Sequence, residues 1–394
     1  MPASLKDTDR GQLRRALELA ERGRGRVSPN PLVGAVVVRD GEVIGEGFHA
    51  ELGGLHAERA ALEDCRERGE DPAGATMYVT LEPCAHQGRQ PPCTEALLEA
   101  GIGRVVIASE DPSEKAAGRG PGILRDGGVA VEFAAGAEAG AARLLNQPFR
   151  KHARTGLPLV TLKLAMSLNG QTSTGSADSP WISSEMSRAL VHRWRAESDA
   201  IAVGIGTALA DDPLLTARTH GARQPLRIVF DSQARLPLNS QLLATLDQSP
   251  VLIVTSPDAD PTRAAALRNA GAEILIAGGE TSGDRIHSAL GLLGRRNITS
   301  LFLEGGRTLA SAFTASGNLD ESKIFIAPLL IEQRDDAERP AGPVGAASPT
   351  VLALPRSAPR GTPATPPPAR VSALESSVER VGEDTLITAR FREW

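Results

Sequence analysis

The sequence predicts an α/β protein built from two successive domains. Its 394 residues are too many for one ordinary core. β-rich runs alternate with helical periodicity along nearly the whole chain, the pattern of mainly parallel sheets covered on both faces. The alternation restarts after Asn146, Gln147, Pro148, Phe149, Arg150 and Lys151, which places the expected domains at residues 1–147 and 148–394.

Leu13, Ala16, Leu17 and Ala20 recur at i, i+3, i+4 and i+7 behind a Thr8/Asp9 cap, so the first element is an amphipathic helix ending at Gly23. Asp40-Gly41 between two β-rich runs signals a hairpin. A helix then runs from His56 to Gly69, followed by a strand at 77–81, a helix from Cys93 to Gly101, a strand at 104–108, a helix around 123–125, a strand at 129–133 and a helix at 138–145. In the second domain strands are expected from Pro158 onward and at 200–203, 227–231, 251–254, 273–276 and 301–303, with helices at 185–195, 262–268 and 286–293. Residues 334–370, rich in Pro and Ala, read as a flexible insertion, and the last 24 residues as a hairpin that rejoins the second sheet.

A net charge of −5 with no long basic run argues against nucleic acid or a membrane surface as partner. The three cysteines, Cys65, Cys84 and Cys93, are too few for a disulfide framework and suit a reducing cytoplasm. The first residues lack the apolar core of a signal peptide, and no apolar run reaches membrane-spanning length. A cytoplasmic location is the expectation. Cys65, at helical spacing from Ala61, reads as a core residue.

The chemistry concentrates in residues 78–93, YVTLEPCAHQGRQPPC, and in the earlier triplet His56-Ala57-Glu58. One imidazole and two thiolates, from His56, Cys84 and Cys93, suit tetrahedral zinc with its fourth position open for water. His56 and Cys93 each open a helix, and a helix N-terminus favours the thiolate. A second triplet, His49-Ala50-Glu51, is followed by Gly53-Gly54, which breaks any helix there, so His56 is the ligand. His-x-Glu followed by Pro-Cys is the pattern of zinc deaminases, in which the glutamate is the general acid/base; here that is Glu58. Eight residues separate the cysteines instead of two. His86, between them, reads as loop-stabilising. Two other readings, reduced core thiols with a surface histidine or a zinc-stabilised scaffold, give Glu58 no use. A nucleic-acid deaminase with an unrelated appendage leaves the second domain unexplained.

SPNPLVGAVVV, TLEPCAHQGRQPPC and AGRG at 117–120 make the first domain resemble the pyrimidine deaminase of riboflavin biosynthesis. LKLAMSLNG, Ser179-Pro180-Trp181-Ile182, VGIGTALADDPLLTAR and LEGGRTLA make the second resemble the dihydrofolate-reductase-like reductase fused to it. The resemblance implies a cytidine-deaminase-like three-layer α/β/α domain followed by a dihydrofolate-reductase-like α/β domain, with one zinc per chain and NADPH as cofactors. It implies deamination of 2,5-diamino-6-ribosylamino-4(3H)-pyrimidinone 5′-phosphate by hydroxide formed on zinc, then reduction of the ribosyl side chain to ribityl. The partner is thus a phosphorylated pyrimidine; oligomeric state stays open, a homo-oligomer included.

Carried over by residue, Asn30, Arg89 and Asp111 contact the deaminase substrate. Ser179, Arg195, Leu214, Arg218 and Glu304 face the reductase substrate. Ala165, Trp181, Thr207, Asp211, Ser232 and the run Gly306, Arg307, Thr308, Leu309, Ala310, Ser311 and Ala312 face the nicotinamide cofactor. There is no G-x-G-x-x-G after a strand, so a cofactor phosphate is expected at the helix that Gly305-Gly306 opens. Ser113 stands where the family commonly has asparagine, and Asn169 where it usually has aspartate.

Overall fold

The structure, a computed structural model, describes residues 6–88, 90–114, 116–172, 182–219, 221–332 and 371–394. The insertion expected at 334–370 lies outside them.

Helix α1 (Asp7–Glu21) begins one turn earlier than its apolar stripe suggests. Lys6 is the N-cap, and Asp9 reaches back to the Lys6 amide at 3.2 Å, so Thr8 and Asp9 lie inside the first turn instead of capping it. Strands β1 (Gly34–Arg39) and β2 (Glu42–Phe48) form the expected hairpin, with φ of 51° at Asp40 and 89° at Gly41. Then come α2 (Ala57–Glu67), β3 (Thr76–Val79), α3 (Cys93–Glu99), β4 (Arg104–Ile107), α4 (Arg119–Asp126), β5 (Ala130–Phe133) and α5 (Ala137–Leu145). The five strands lie in the order β2-β1-β3-β4-β5, and β1 alone runs against the other four, so this sheet is mixed. Leu13, Ala16 and Ala142 cover one face against Val36 and Val106; Ala61, Leu97 and Leu124 cover the other against Val37, Met77 and Val105. The result is three layers, α/β/α. Helix α2 lies directly on bare backbone of β2: a Cβ at Gly47 would stand 2.3 Å from Ala61 N.

Across the expected boundary the chain is helical, as α6 (Gln147–Thr155). Its buried face is polar, with Gln147, Arg150 and Lys151 all under 3 % exposed, which is why apolar periodicity read it as a break. Each of these side chains has a partner that makes burial tolerable. Gln147 exchanges hydrogen bonds with the Trp394 backbone, Lys151 pairs with buried Asp320, and Arg150 donates to Trp394 O at 2.6 Å, Ser109 Oγ at 3.1 Å and Glu110 Oε1 at 2.8 Å. Helix α6 therefore joins the two sheets physically.

The second sheet collects β6 (Leu159–Ser167), β7 (Ala200–Gly204), β8 (Leu226–Phe230), β9 (Val251–Thr255), β10 (Glu273–Ile276), β11 (Ser300–Glu304), β12 (Glu321–Ala327), β13 (Glu375–Val381) and β14 (Asp384–Arg390). Its order is β10-β9-β8-β7-β11-β6-β12-β14-β13, parallel as far as β12, with the terminal hairpin antiparallel on β12 as expected. Helices α7 (Glu185–Glu197), α8 (Ile205–Asp211), α9 (Gln241–Ala244) and α10 (Pro261–Asn269) pack on one face; α11 (Ser282–Arg295) and α12 (Arg307–Ala315) pack on the other.

Candidate active sites

His56 is the N-cap of α2 and Cys93 the first residue of α3, while Cys84 follows β3 through Leu81-Glu82-Pro83. These elements bring together three side chains from separate parts of the chain. Their ligand atoms all lie within 4.8 Å of one another, with His56 Nδ1 at 3.5 Å from Cys84 Sγ and 3.3 Å from Cys93 Sγ. Tetrahedral zinc with bonds of about 2.3 Å to sulfur and about 2.0 Å to nitrogen places those ligand atoms about 3.5 Å apart, so the spacing fits the ion.

The electrostatics fit as well. The hydrogen bond from Cys93 pulls the Cys84 thiol down to about 4 against the opposing effect of burial, and the same contact, with burial, pushes Cys93 up. Two thiols in contact cannot both ionise without a cation between them. The Cys93 amide, at the α3 start, donates to Cys84 Sγ at 3.3 Å. Glu58 is 4 % exposed, and burial, reinforced by the negative charge of Cys84, raises its carboxyl to about 7. A carboxyl so tuned can both accept and return a proton near neutrality.

Both nitrogens of His49 are engaged within the protein, Nδ1 with Leu55 O at 2.9 Å and Nε2 with Asn30 Nδ2 at 3.1 Å, which removes it as a ligand. Its ring stands edge-on to His56 at 5.5 Å, so it links Asn30 to the metal cluster. Asp111 accepts from the Ser113 amide at 2.8 Å, a bond that asks nothing of the Ser113 side chain. Arg89 lies outside the described residues. Sequence reasoning passed over Glu82, which is buried and accepts from the Gly118 amide at 2.8 Å, tying the AGRG loop to the Pro-Cys turn. A Cβ at Gly120 would stand 2.1 Å from Pro83 O, so only glycine fits there.

In the second sheet the candidates gather at the carboxyl ends of parallel strands, where open α/β sheets hold ligands. Gly204 ends β7 and opens α8; Glu304 ends β11, and Gly306 opens α12. The Gly306 amide donates to Thr207 Oγ1 at 3.2 Å, so the two helix starts stand side by side. Arg307 and Thr308 are exposed there, whereas Ala310 points into the core beneath α12. Ser232 follows β8, its carbonyl held by Ser256, and Asp211 ends α8. The exposed glycine-led start of α12, with Arg307 beside it, suits the phosphate of NADPH.

Glu304 and Arg195 form a bidentate pair at 2.6 and 3.0 Å, and Arg195 also donates to Thr216 O at 3.1 Å. Burial works against the Glu304 carboxylate, yet Arg195 and Lys163 hold it below its ordinary range. Lys163 was missed by sequence reasoning because it sits in an apolar strand run. It is aligned with Glu304 across β6 and β11 and shares a sheet face with Ala165 two residues on; burial lowers its ammonium. His192 lies within the field of both Arg195 and Arg218, and burial and those charges lower it. The carbonyl of Leu214 is held by buried Arg227 at 3.1 Å. Asn169 uses its amide in both senses, donating to Ile331 O at 2.8 Å and accepting from Ile331 N at 3.2 Å, which an aspartate could not do. Ser179 and Trp181 lie outside the described residues.

A soft three-ligand cluster beside a buried glutamate, coupled to a parallel-sheet crevice with its own charge pair, belongs to a two-domain enzyme that joins zinc-dependent deamination to a reduction. Residues 6–109 match the cytidine and deoxycytidylate deaminase zinc-binding region, and residues 158–354 match the RibD C-terminal domain. The chain is 42 % identical over 338 residues to the riboflavin biosynthesis protein RibD of Actinobacillus pleuropneumoniae, covering 86 % of this chain and 88 % of that one. It is 40 % identical over 338 residues to that of Escherichia coli, covering 82 % and 88 %. The crystal structure of a diaminohydroxyphosphoribosylaminopyrimidine deaminase/5-amino-6-(5-phosphoribosylamino)uracil reductase from Thermotoga maritima superposes with a TM-score of 0.77 at 31 % identity, covering 98 % of this chain and 99 % of that one. This chain belongs to the RibD family, the bifunctional enzymes of riboflavin biosynthesis, and uses zinc in its deaminase and NADPH in its reductase.

Proposed function

We propose that the chain hydrolyses an exocyclic amine of 2,5-diamino-6-ribosylamino-4(3H)-pyrimidinone 5′-phosphate within residues 1–147, and reduces the ribosyl side chain of the product to ribityl within residues 148–394. The product is then 5-amino-6-(5-phospho-D-ribitylamino)uracil. The observation that carries the reading is the convergence of His56 Nδ1, Cys84 Sγ and Cys93 Sγ beside buried Glu58. In the deaminase, zinc held by those three ligands supplies Lewis acidity toward water, and in the reductase NADPH supplies hydride. Glu58 passes one proton of the attacking water to the ring nitrogen and then the remaining hydroxyl proton to the amine, which departs as ammonia as the carbonyl forms. In this reading Asn30 and Asp111 orient the pyrimidine, with Arg89 as phosphate partner.

In the second site Arg195 and Arg218 face the substrate phosphate, with Leu214 beside it. Glu304 accepts from a ribose hydroxyl, and Lys163 donates a proton to the ribose oxygen as the carbon is reduced. Ala165, Thr207, Asp211, Ser232 and the start of α12 line the cofactor. The three free thiols support a reducing cytoplasm. A homo-oligomer is supported by edge strand β13, exposed along almost its whole length with Val378 outward. Incubation of the diaminopyrimidine phosphate with enzyme tests the reading by mass spectrometry. A gain of about one mass unit is expected without NADPH and a further gain of two with it; an unchanged substrate in both arms refutes it.

A further inference from the structure

The turn that presents Asn30 is braced from outside its own domain. Its amide bonds to Val27 O at 2.9 Å, which makes Ser28 and Asn30 corners of one tight turn. Ser28 Oγ donates to Asp199 Oδ2 at 2.8 Å and stands 3.2 Å from Thr299 Oγ1, both at the start of second-sheet strands. Asp199 is 2 % exposed and also accepts from the Thr299 amide and hydroxyl, each at 2.8 Å. Close by, a Cβ at Gly25 would stand 2.9 Å from Ala196 O, so the two backbones meet without side chains between them. Beyond Asn30, Leu32 is clamped by Asn146, whose amide group takes the Leu32 N–H at 2.8 Å and gives to its carbonyl at 2.9 Å.

We propose that Asp199 of the reductase domain is a positioning residue for the deaminase, holding through Ser28 the turn that aims Asn30 at the deaminase substrate. The proposal rests on the reading of Asn30 as a substrate contact. Its logic is one of rigidity. Among the described residues Asn30 meets the metal cluster through His49, so an unbraced turn lets its amide swing away from the ring it must meet. Asp199 immediately precedes β7, whereas the reductase crevice opens at the other end of that strand; its 5 residues put about 17 Å between them. The brace therefore serves the deaminase alone, and reduction is an internal control. Ser28 can be removed without stranding a buried charge, because Asp199 keeps its bonds to Thr299 and Arg223.

The test uses the full chain, with deamination followed as ammonia release without NADPH. Ser28→Ala is expected to raise KM for the diaminopyrimidine phosphate on the order of tenfold, the value of a charge-assisted hydrogen bond, with kcat, zinc content and reduction of the deaminated substrate unchanged. Ser28→Thr, which keeps the hydroxyl, should restore KM. Asp199→Asn should raise the deaminase KM from across the domain junction, and the double variant should be no worse than the worse single, because both act on one bond. If Asp199→Asn does not fold, the two Ser28 variants decide. An unchanged KM in Ser28→Ala, where Asn30→Ala raises it, overturns the brace. An Asn30→Ala enzyme with normal KM overturns instead the substrate role of Asn30, and the proposal with it. Loss of zinc in Ser28→Ala would place the bond in the metal site's fold and also overturn the proposal.

Discussion

Arg195→Ala removes one half of the charge pair on which the reductase crevice is built. The two side chains are 15 % and 12 % exposed and share two short bonds. In the variant Glu304 keeps Lys163 as a positive neighbour but loses both of those bonds. Breaking one partner of a buried pair costs about 3–5 kcal/mol, and the remaining lysine puts the expectation near the lower figure. The sign with pH follows from Glu304, whose folded pKa lies below its ordinary 4.5. Its stabilisation is present above that ordinary value and lost as pH falls through the folded one, so the gap between variant and parent is widest near neutrality and closes in acid. Urea titration at several pH values measures it. Trp194, stacked on Phe325 at 5.6 Å and edge-on to Phe302 at 5.9 Å, reports on this core by its emission. Reduction of the deaminated substrate should fall at least about tenfold, the loss of one charge-assisted contact, while ammonia release stays normal. A destabilisation below about 1 kcal/mol, one that does not vary with pH, or a parallel fall in deamination refutes the reasoning.

Glu58→Gln should keep its zinc, lose deamination by about two to four orders of magnitude, and still oxidise NADPH when handed the deaminated pyrimidine, because it removes a proton carrier and not a ligand; near-normal ammonia release would refute the assignment. Purified enzyme should carry one zinc per chain by elemental analysis and Cys93→Ala should lose it, whereas a Cys93→Ala protein with full zinc would show that the ion sits elsewhere. Replacing residues 337–366 with a brief Gly/Ser linker should leave both reactions intact, since that segment has too few periodic apolar positions to build a site; lost reduction in a folded variant would make the segment part of the crevice.

The metal centre was legible because its parts are local. His56 and Cys93 each begin a helix, and the residue types that stop those helices, Gly69 and Gly101 with φ of 73° and 67°, stand in the sequence beside them. The choice of His56 over His49 was equally local, since Gly53-Gly54 forbids a helix after the first triplet. Hairpin, strand alternation and the terminal return to the second sheet follow from patterns of a few residues each.

Other features depended on partners far along the chain. Helix α6 hid from the hydrophobic pattern because its inner face is Gln147, Arg150 and Lys151, and a buried polar face is stable only where Trp394, Glu110 and Asp320 arrive to satisfy it. The mixed order of the first sheet, the charge cluster of Lys163, Arg195 and Glu304, and the contact of Ser28 with Asp199 likewise join residues that no short-range rule relates. The sequence by itself determined most of the element types and the three residues that gather as a metal site, and it put forward Glu58 beside them, because propensity, capping and ligand chemistry are properties of neighbouring residues. Only the tertiary structure decided which buried charges meet and how one domain leans on the other, because the cost of burying a polar group is set by whatever the fold places opposite it.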